Sequence, residues 1–213
     1  MRAVVLREPG PADHLKLESL PDPTPGAGEA VVRLRAAALN HRDVWIRSGT
    51  GAYAAGFARP VILGSGGAGE VTAVGDGVDR ALVERAVVIN PSLDWGDDDL
   101  AQCSGFRILG LPDDGTYAED IRIPARNVLP KPARLSFEEA ATLPHSAILA
   151  IQGLRLRDGR TIKAGDRVLV DGASGNVGPF AVQVAKARGA EVTGMDRETE
   201  AAVLRAWHDQ STT

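Results

Sequence analysis

Along the first part of the chain, apolar and polar positions alternate in short runs, the period of two that predicts strands with one buried face. Arg2 to Leu6 and Leu15 to Glu18 are two such runs, and Pro21-Asp22-Pro23-Thr24-Pro25-Gly26 then breaks the chain sharply. Between Glu29 and Ala37, Val32, Leu34 and Ala36 alternate with Arg33 and Arg35, a half-buried strand. Leu39 to Trp45 is a polar stretch leading into a glycine-rich loop that ends near Pro60. Val61-Ile62-Leu63 precedes the cluster Gly64-Ser65-Gly66-Gly67-Ala68-Gly69, and strand character resumes from Glu70 to Val74. No helical period follows that cluster, so it reads as crowded turns in a barrel and not as a phosphate loop. Ala86 to Asn90 and Thr116 to Ile123 are further strands, the latter after an Asp114-Gly115 turn. Pro91 to Leu111, with its run Asp97-Asp98-Asp99, reads as a solvated excursion in preference to a metal site.

The period lengthens to that of a helix at Leu135. Ser136 is a helix cap with Glu139 at the capping-box position, and Ala140, Ala141 and Leu143 begin an apolar face. Pro144 interrupts, and a second helix is expected from Ser146 to Arg155. Val168-Leu169-Val170 is then a short buried strand. After a glycine-rich turn, Val177, Phe180, Ala181, Val184 and Ala185 form the stripe of a helix lying on a sheet. Gly189 stops that helix, with Lys186 and Arg188 in its last turn, and Glu191 to Met195 is a second strand. A further helix from Glu198 to Trp207 and a polar tail are expected beyond it. The change of pattern falls between Pro124 and Pro144, so two domains are expected: a β domain over residues 1–130 and an α/β domain from 131 to 213.

The turn between the two late strands carries the chemistry. Small residues let backbone approach a pyrophosphate, and free N–H groups at the helix start point at its oxygens. Ala173 stands at the first position of G-x-G-x-x-G, with Gly175 second and Gly178 third, and Ser174, Asn176 and Val177 between them. Asp196 lies about 20 residues further on, where an acid accepts from an adenosine ribose. Asp196 favours NAD(H) by repelling a 2′-phosphate, whereas Arg197 beside it could pair with that phosphate; the balance leans to NAD. Glycine turns also serve tight packing, and S-adenosylmethionine-dependent methyltransferases share a glycine turn and a ribose acid.

Composition narrows the partners. A net charge of −4 and a pI near 5.6 speak against nucleic acid. No apolar run is long enough to span a bilayer, and the amino terminus lacks a signal core, so a cytoplasmic protein without a membrane partner is expected. Cys103 is the single cysteine, which excludes an internal disulfide and a four-cysteine zinc site.

Four motifs in register carry a resemblance: Ala38-Leu39-Asn40-His41-Arg42-Asp43, residues 63–69, Asp114-Gly115-Thr116-Tyr117-Ala118-Glu119, and residues 173–178. Together they resemble the medium-chain dehydrogenase/reductase superfamily, closest to its zinc-type alcohol dehydrogenase-like and quinone oxidoreductase-like members. The resemblance implies an N-terminal GroES-like β-barrel followed by a Rossmann dinucleotide-binding domain. Zinc-dependent members place a cysteine ligand where this chain has Asn40 and a His-Glu pair where it has Ser65-Gly66, so the implied pattern is zinc-free. The implied reaction is hydride transfer between a nicotinamide, NAD or NADP, and a quinone, enone or related small carbonyl compound. In it Asn40 would donate to the developing oxyanion or the nicotinamide ribose, Asp43 would order the loop, and Trp45 would form an aromatic wall. Tyr117 would be either a proton donor or a barrel-packing residue. Leu149 stands where members show a threonine beside the nicotinamide.

A full dinucleotide sheet has six strands, and two are legible here. The chain is therefore expected to be a C-terminally truncated member with an incomplete Rossmann domain. Such a chain would be mobile beyond Ile162 unless a partner copy lent a sheet edge, and of low turnover. The alternative is a non-catalytic barrel acting as a binding module.

Overall fold

Residues 1–155 and 159–196 are described by the computed structural model of the chain. They divide into two units, Met1–His145 and the residues from Ser146 onward. Arg197, the helix expected from Glu198 to Trp207 and the polar tail lie outside the described residues.

The first unit is mainly β. In chain order it holds β1 (Arg2–Leu6), β2 (Leu15–Ser19), β3 (Glu29–Ala37), helix α1 (His41–Ser48), β4 (Val61–Ile62), β5 (Gly67–Val74) and β6 (Ala86–Ile89). There follow β7 (Ser92–Leu93), β8 (Arg107–Leu109), β9 (Pro112–Asp113), β10 (Asp120–Pro124), β11 (Val128–Pro130) and helix α2 (Phe137–Ala141). Three sheets form, ordered β2-β1-β4, β10-β3-β5-β6-β11 and β7-β8-β9. The segment 115–119 stitches the first to the second. Its Gly115 and Tyr117 N–H groups donate to Ile62 and Leu63, its Tyr117 carbonyl accepts from Val4, and its Glu119 carbonyl accepts from Leu34. The inward sides of the strands supply the main core, including Val32, Val71, Val87, Ile89, Ile121 and Ile123. Helix α2 closes one side, where Ala140 and Ala141 pack against Ala68 and Val88. Its start is as expected: Ser136 Oγ accepts from the Glu139 N–H at 3.1 Å and the Glu139 carboxylate accepts from the Ser136 N–H at 2.9 Å.

Four local expectations are corrected. Strand β5 begins inside the glycine cluster, at Gly67 and not at Glu70. A Cβ on Gly69 would stand 2.0 Å from the Arg33 carbonyl oxygen, so the glycine lets two strand backbones close where the β3–β5 register shifts. The stretch after Pro91 is anchored and not merely solvated. Strand β7 pairs with β8, burying Leu93 and Leu109, while Asp97, Asp98 and Asp99 stay exposed. Strand β10 starts at Asp120, later than Thr116, because residues 115–119 bridge two sheets. Finally, most of the polar stretch from Leu39 to Trp45, to which the pattern assigns no element, lies in helix α1.

Around the unit boundary, helix α3 runs over Leu143–Gly153. Pro144 does not interrupt it, because a proline in the first turn lacks only an N–H that would have no intrahelical partner. The second unit continues with β12 (Arg167–Asp171), helix α4 (Gly178–Ala187) and β13 (Glu191–Met195). The two strands pair in parallel from Arg167↔Glu191 to Asp171↔Met195, and α4 is their crossover. Leu154, Ile162 and Ala185 form its core with Val168, Val184, Ala190 and Val192. Gly189, at φ +82°, ends the helix in the left-handed region. Among the described residues this is a βαβ fragment of a Rossmann sheet, with two strands.

Candidate functional site

Two residue clusters carry the candidate chemistry, one in each unit. The first forms at the start of α1. Asn40 is its N-cap, in extended backbone, and Gly49 ends it at φ +64°. Asp43, in the first turn, is 5% exposed. Its Oδ2 accepts from the Asn40 N–H at 2.9 Å and from the Tyr117 hydroxyl at 2.7 Å, and its Oδ1 accepts from the Gly64 N–H at 3.3 Å. These three donors satisfy a buried carboxylate that would otherwise be costly. They also tie α1 to the turn after β4 and to the segment before β10.

The Asn40 side chain is buried beside Ser65, which has no exposed surface. Its Nδ2 donates to Ser65 Oγ at 3.4 Å and to the Ala38 carbonyl at 3.5 Å. A Cβ on Gly66 would fall 2.8 Å from the Ala141 carbonyl oxygen, so no larger residue fits there without a shift. Thr116 locks the same turn by donating its hydroxyl to the Gly66 carbonyl at 2.9 Å.

Electrostatics separate the titratable members. Burial first, then the hydrogen bond to Asp43 and its charge, pushes the Tyr117 phenol far above its ordinary range. His145 is lowered, by burial and then by the Arg42 charge, against an opposing pull from Asp43. It therefore stays neutral near pH 7.

The structure brings Asn40, Asp43 and Tyr117 together and adds Ser65, Arg42 and His145. Trp45 is not part of that cluster: it is half-exposed on α1, edge-on to the His41 ring at 5.0 Å. Leu149 lies on α3 and is exposed. The signal for α1 was present in the sequence as Asn40-x-x-Asp43, an N-cap and an acid three residues on, followed by Gly49. Nothing in the sequence pattern points to the burial of Arg42.

The donor set does not fit zinc, which prefers Cys, His or carboxylate. At the positions where the resemblance implies zinc ligands stand an amide and a hydroxyl bonded to one another, and Gly66 offers no side chain. Among the described residues no group of three or more His, Cys, Asp or Glu is placed to hold a metal.

The second cluster is the turn from β12 into α4. Gly172, at φ +69°, takes the left-handed conformation, so it and not Ala173 makes the tight bend. The Ala173 N–H donates to the Met195 carbonyl at 2.9 Å, and the Gly175 N–H closes the turn on Gly172 at 2.9 Å. Gly178 is buried at the helix start, where a Cβ would lie 2.3 Å from the Gly172 carbonyl oxygen and 2.6 Å from Ala173 Cα. Ser174, Gly175 and Asn176 form the exposed crest and Val177 the N-cap. In the first turn of α4 the Phe180 N–H donates to the Val177 carbonyl at 3.1 Å, while the Gly178 N–H sits at the positive end of the helix dipole. Pro179, lacking an N–H, contributes none. Asp196 follows β13 directly, half-buried, and Arg197 lies outside the described residues. An exposed glycine turn at a helix start and an acid after the next strand fit the pyrophosphate and ribose of a dinucleotide.

Comparison with known proteins bears on the family and the fold. The family described as the alcohol dehydrogenase GroES-like domain matches residues 26–133. A zinc-type alcohol dehydrogenase-like protein of Schizosaccharomyces pombe is 38% identical over 194 residues, covering 91% of this chain and 55% of its own. An acryloyl-coenzyme A reductase of Sulfurisphaera tokodaii is 34% identical, covering 98% of this chain and 63% of its own. The crystal structure of an NAD-dependent alcohol dehydrogenase superposes with a TM-score of 0.81 at 42% identity, over 91% of this chain and 57% of that one. The chain thus spans 55% to 63% of the length of those two curated relatives. With a GroES-like β unit followed by a βαβ dinucleotide turn, the chain belongs to the alcohol dehydrogenase-like medium-chain dehydrogenase/reductases, a family of NAD(P)-dependent oxidoreductases.

Proposed function

We propose that this chain belongs to a zinc-independent NAD(P)-dependent oxidoreductase that moves a hydride between a nicotinamide and a quinone, enone or related carbonyl compound. Residues 1–130 would form its catalytic domain and those from 131 onward the start of its dinucleotide-binding domain. The observation that carries this reading is the buried Asn40–Ser65 pair at the positions where zinc-dependent members hold metal ligands. Without a Lewis acid, a conjugated acceptor is favoured because it spreads the developing charge itself. The acryloyl-coenzyme A reductase relative bears such an acceptor in its substrate's name.

Bound nicotinamide would supply the hydride. The chain's own contribution is position and hydrogen bonding. The Asn40 Nδ2 contacts to Ser65 and Ala38 are long, at 3.4 Å and 3.5 Å, a geometry that suits re-aiming the amide toward a developing oxyanion or a ribose hydroxyl. Asp43 holds the Asn40 backbone in place. Tyr117 supports the packing role over that of proton donor, because its proton is committed to Asp43 and ionisation is disfavoured. Trp45 supplies an exposed aromatic face on the same helix. Residues 173–178 would cradle the pyrophosphate and Asp196 the ribose, which favours NAD over NADP.

The test is oxidation of NADH and NADPH by a panel of quinones and enones, after dialysis against chelator, beside coenzyme titration. Turnover that survives chelation, lost in Asn40→Ala, is expected. Turnover only with added zinc would overturn the zinc-free reading, and clearly tighter NADPH binding would overturn the preference for NAD. The two strands among the described residues of the second unit favour one other reading, a barrel domain acting as a binding module. Failure to bind either coenzyme at millimolar concentration would select it.

A further inference from the structure

Arg42 takes a full charge into the first unit, at 8% exposure, and its donors go to neutral oxygens. Nη1 donates to the Leu109 carbonyl at 2.9 Å, Nη2 to the Leu111 carbonyl at 2.8 Å, and Nε to the Tyr53 hydroxyl at 2.9 Å. The guanidinium carbon also stands 5.5 Å from the centre of the Tyr53 ring. Among the described residues no carboxylate reaches it within ion-pair distance. A buried cation held only by neutral groups is expensive, so its geometry is its use.

That geometry closes a ring. Arg42 spans two carbonyls of residues 109–111, while its neighbour Asp43 holds the Gly64 N–H. The two segments so gripped touch each other: a Cβ on Gly110 would come within 3.0 Å of Gly64 backbone atoms. Successive residues of α1 therefore clasp two abutting backbone segments, and Ser65 follows directly on one of them. Asn40, bonded through its N–H to Asp43 and through its side chain to Ser65, sits inside the clasp.

We propose that Arg42 is a positioning residue: by tying α1 to residues 109–111 it fixes the Asn40 amide against Ser65. The proposal rests on the reading that Asn40 works at the reacting centre. A planar fork is required, because two carbonyls two residues apart must be held at once. A lysine keeps the charge but holds them as a single point.

The test is NMR on the isotopically labelled full chain, comparing wild type with Arg42→Lys and Arg42→Met well below their unfolding transitions. Two signals are followed, hydrogen exchange of the Asn40 side-chain amide and titration of the His145 ring, which feels the charges of Arg42 and Asp43. In Arg42→Lys the Asn40 amide is expected to exchange faster by roughly tenfold or more, an opening free energy lower by about 1.4 kcal/mol, with His145 titrating as in wild type. In Arg42→Met both signals should move, His145 upward. Should Arg42→Met not fold, Arg42→Lys decides alone. A folded Arg42→Lys protein whose Asn40 amide exchanges at the wild-type rate overturns the proposal. Asn40→Ala, assayed for hydride transfer, tests the underlying reading separately. Wild-type turnover there, with a loosened amide in Arg42→Lys, would refute the role of Asn40 and leave the positioning intact.

Discussion

The Tyr117 hydroxyl donates a 2.7 Å hydrogen bond to the Asp43 carboxylate, joining the segment before β10 to the start of α1. The bond reaches a charged acceptor in a half-buried site, so it is worth more than a neutral one. Tyr117→Phe should lower stability by about 1.5–3 kcal/mol. Asp43→Ala should cost more, since it leaves the donors of Asn40, Gly64 and Tyr117 without their acceptor, each at about 1–3 kcal/mol. Urea unfolding of the three proteins measures the order. A Tyr117→Phe protein less stable than Asp43→Ala would show that the carboxylate is not the hub.

The same bond predicts an alkaline response. The folded state holds the Tyr117 proton more tightly than the unfolded chain, whose phenol ionises near its ordinary 10.0. Above that pH the folded state binds more protons than the unfolded, so stability falls as pH rises. Tyr53 is the other tyrosine of the chain. In an ultraviolet pH titration short of unfolding, wild type and Tyr117→Phe should therefore give equal phenolate absorbance. Extra absorbance from wild type before unfolding would refute the assignment.

His145 predicts the opposite end of the range. Its folded-state affinity for a proton lies below the ordinary value of 6.5, because it is half-buried and feels the positive charge of Arg42. Between that lowered value and 6.5 the unfolded chain binds more protons, so stability is fully present above 6.5 and declines as pH falls through this window. His145→Gln should flatten the decline. Chemical denaturation midpoints at neutral and mildly acid pH read it, and an equal acid loss in His145→Gln would assign the effect to other groups.

Strands with alternating inward Val and Ile were legible in the sequence because burial on one face writes a period of two. So was the βαβ unit, whose second strand runs from Glu191 to Met195 as the pattern implied. Helix α1 was not legible by period. Its eight residues bury Arg42 and Asp43 beside Ile46, so polarity and burial point in opposite directions there. The helix shows only in its cap, Asn40 and Asp43, and in Gly49. Strand β5 reads as starting late in the sequence, since Gly67 and Gly69 look like turn residues when their actual partner, the β3 backbone, lies 30 or more residues away. The site was half legible for the same reason. Asn40 and Asp43 belong to a local motif, whereas Ser65 and His145 join it only through long-range folding, as do the Leu109 and Leu111 carbonyls that hold Arg42.

Metal content follows from the donors at the first cluster. An amide bonded to a hydroxyl beside Gly66 offers no thiolate, imidazole or carboxylate in the ligand positions. Elemental analysis of the purified full chain after dialysis against chelator should find zinc far below one per chain. About one zinc per chain surviving that treatment would overturn this expectation.

The glycine turn of the second unit yields a prediction in which one substitution repairs another. Gly178 and Gly194 both meet the turn, but they meet different atoms. A Cβ on Gly178 would strike the Gly172 carbonyl oxygen at 2.3 Å and Ala173 Cα at 2.6 Å, all backbone. A Cβ on Gly194 would strike only the Ala173 side-chain methyl, at 2.8 Å. Gly194 lies in β13, paired with Val170 of β12, so the missing side chain in one strand makes room for the alanine of the turn. Gly194→Ala should therefore destabilise the second unit, by roughly 1–3 kcal/mol for overpacking, and Ala173→Gly should restore most of that loss in the double variant. Gly178→Ala should lose as much or more, and Ala173→Gly should not rescue it, since the backbone obstacles remain. Hydrogen exchange over residues 167–195 of the full chain, with NADH binding as a second readout, compares the five proteins. Rescue of Gly178→Ala, or none of Gly194→Ala, would show that the turn is shaped by something other than these two contacts.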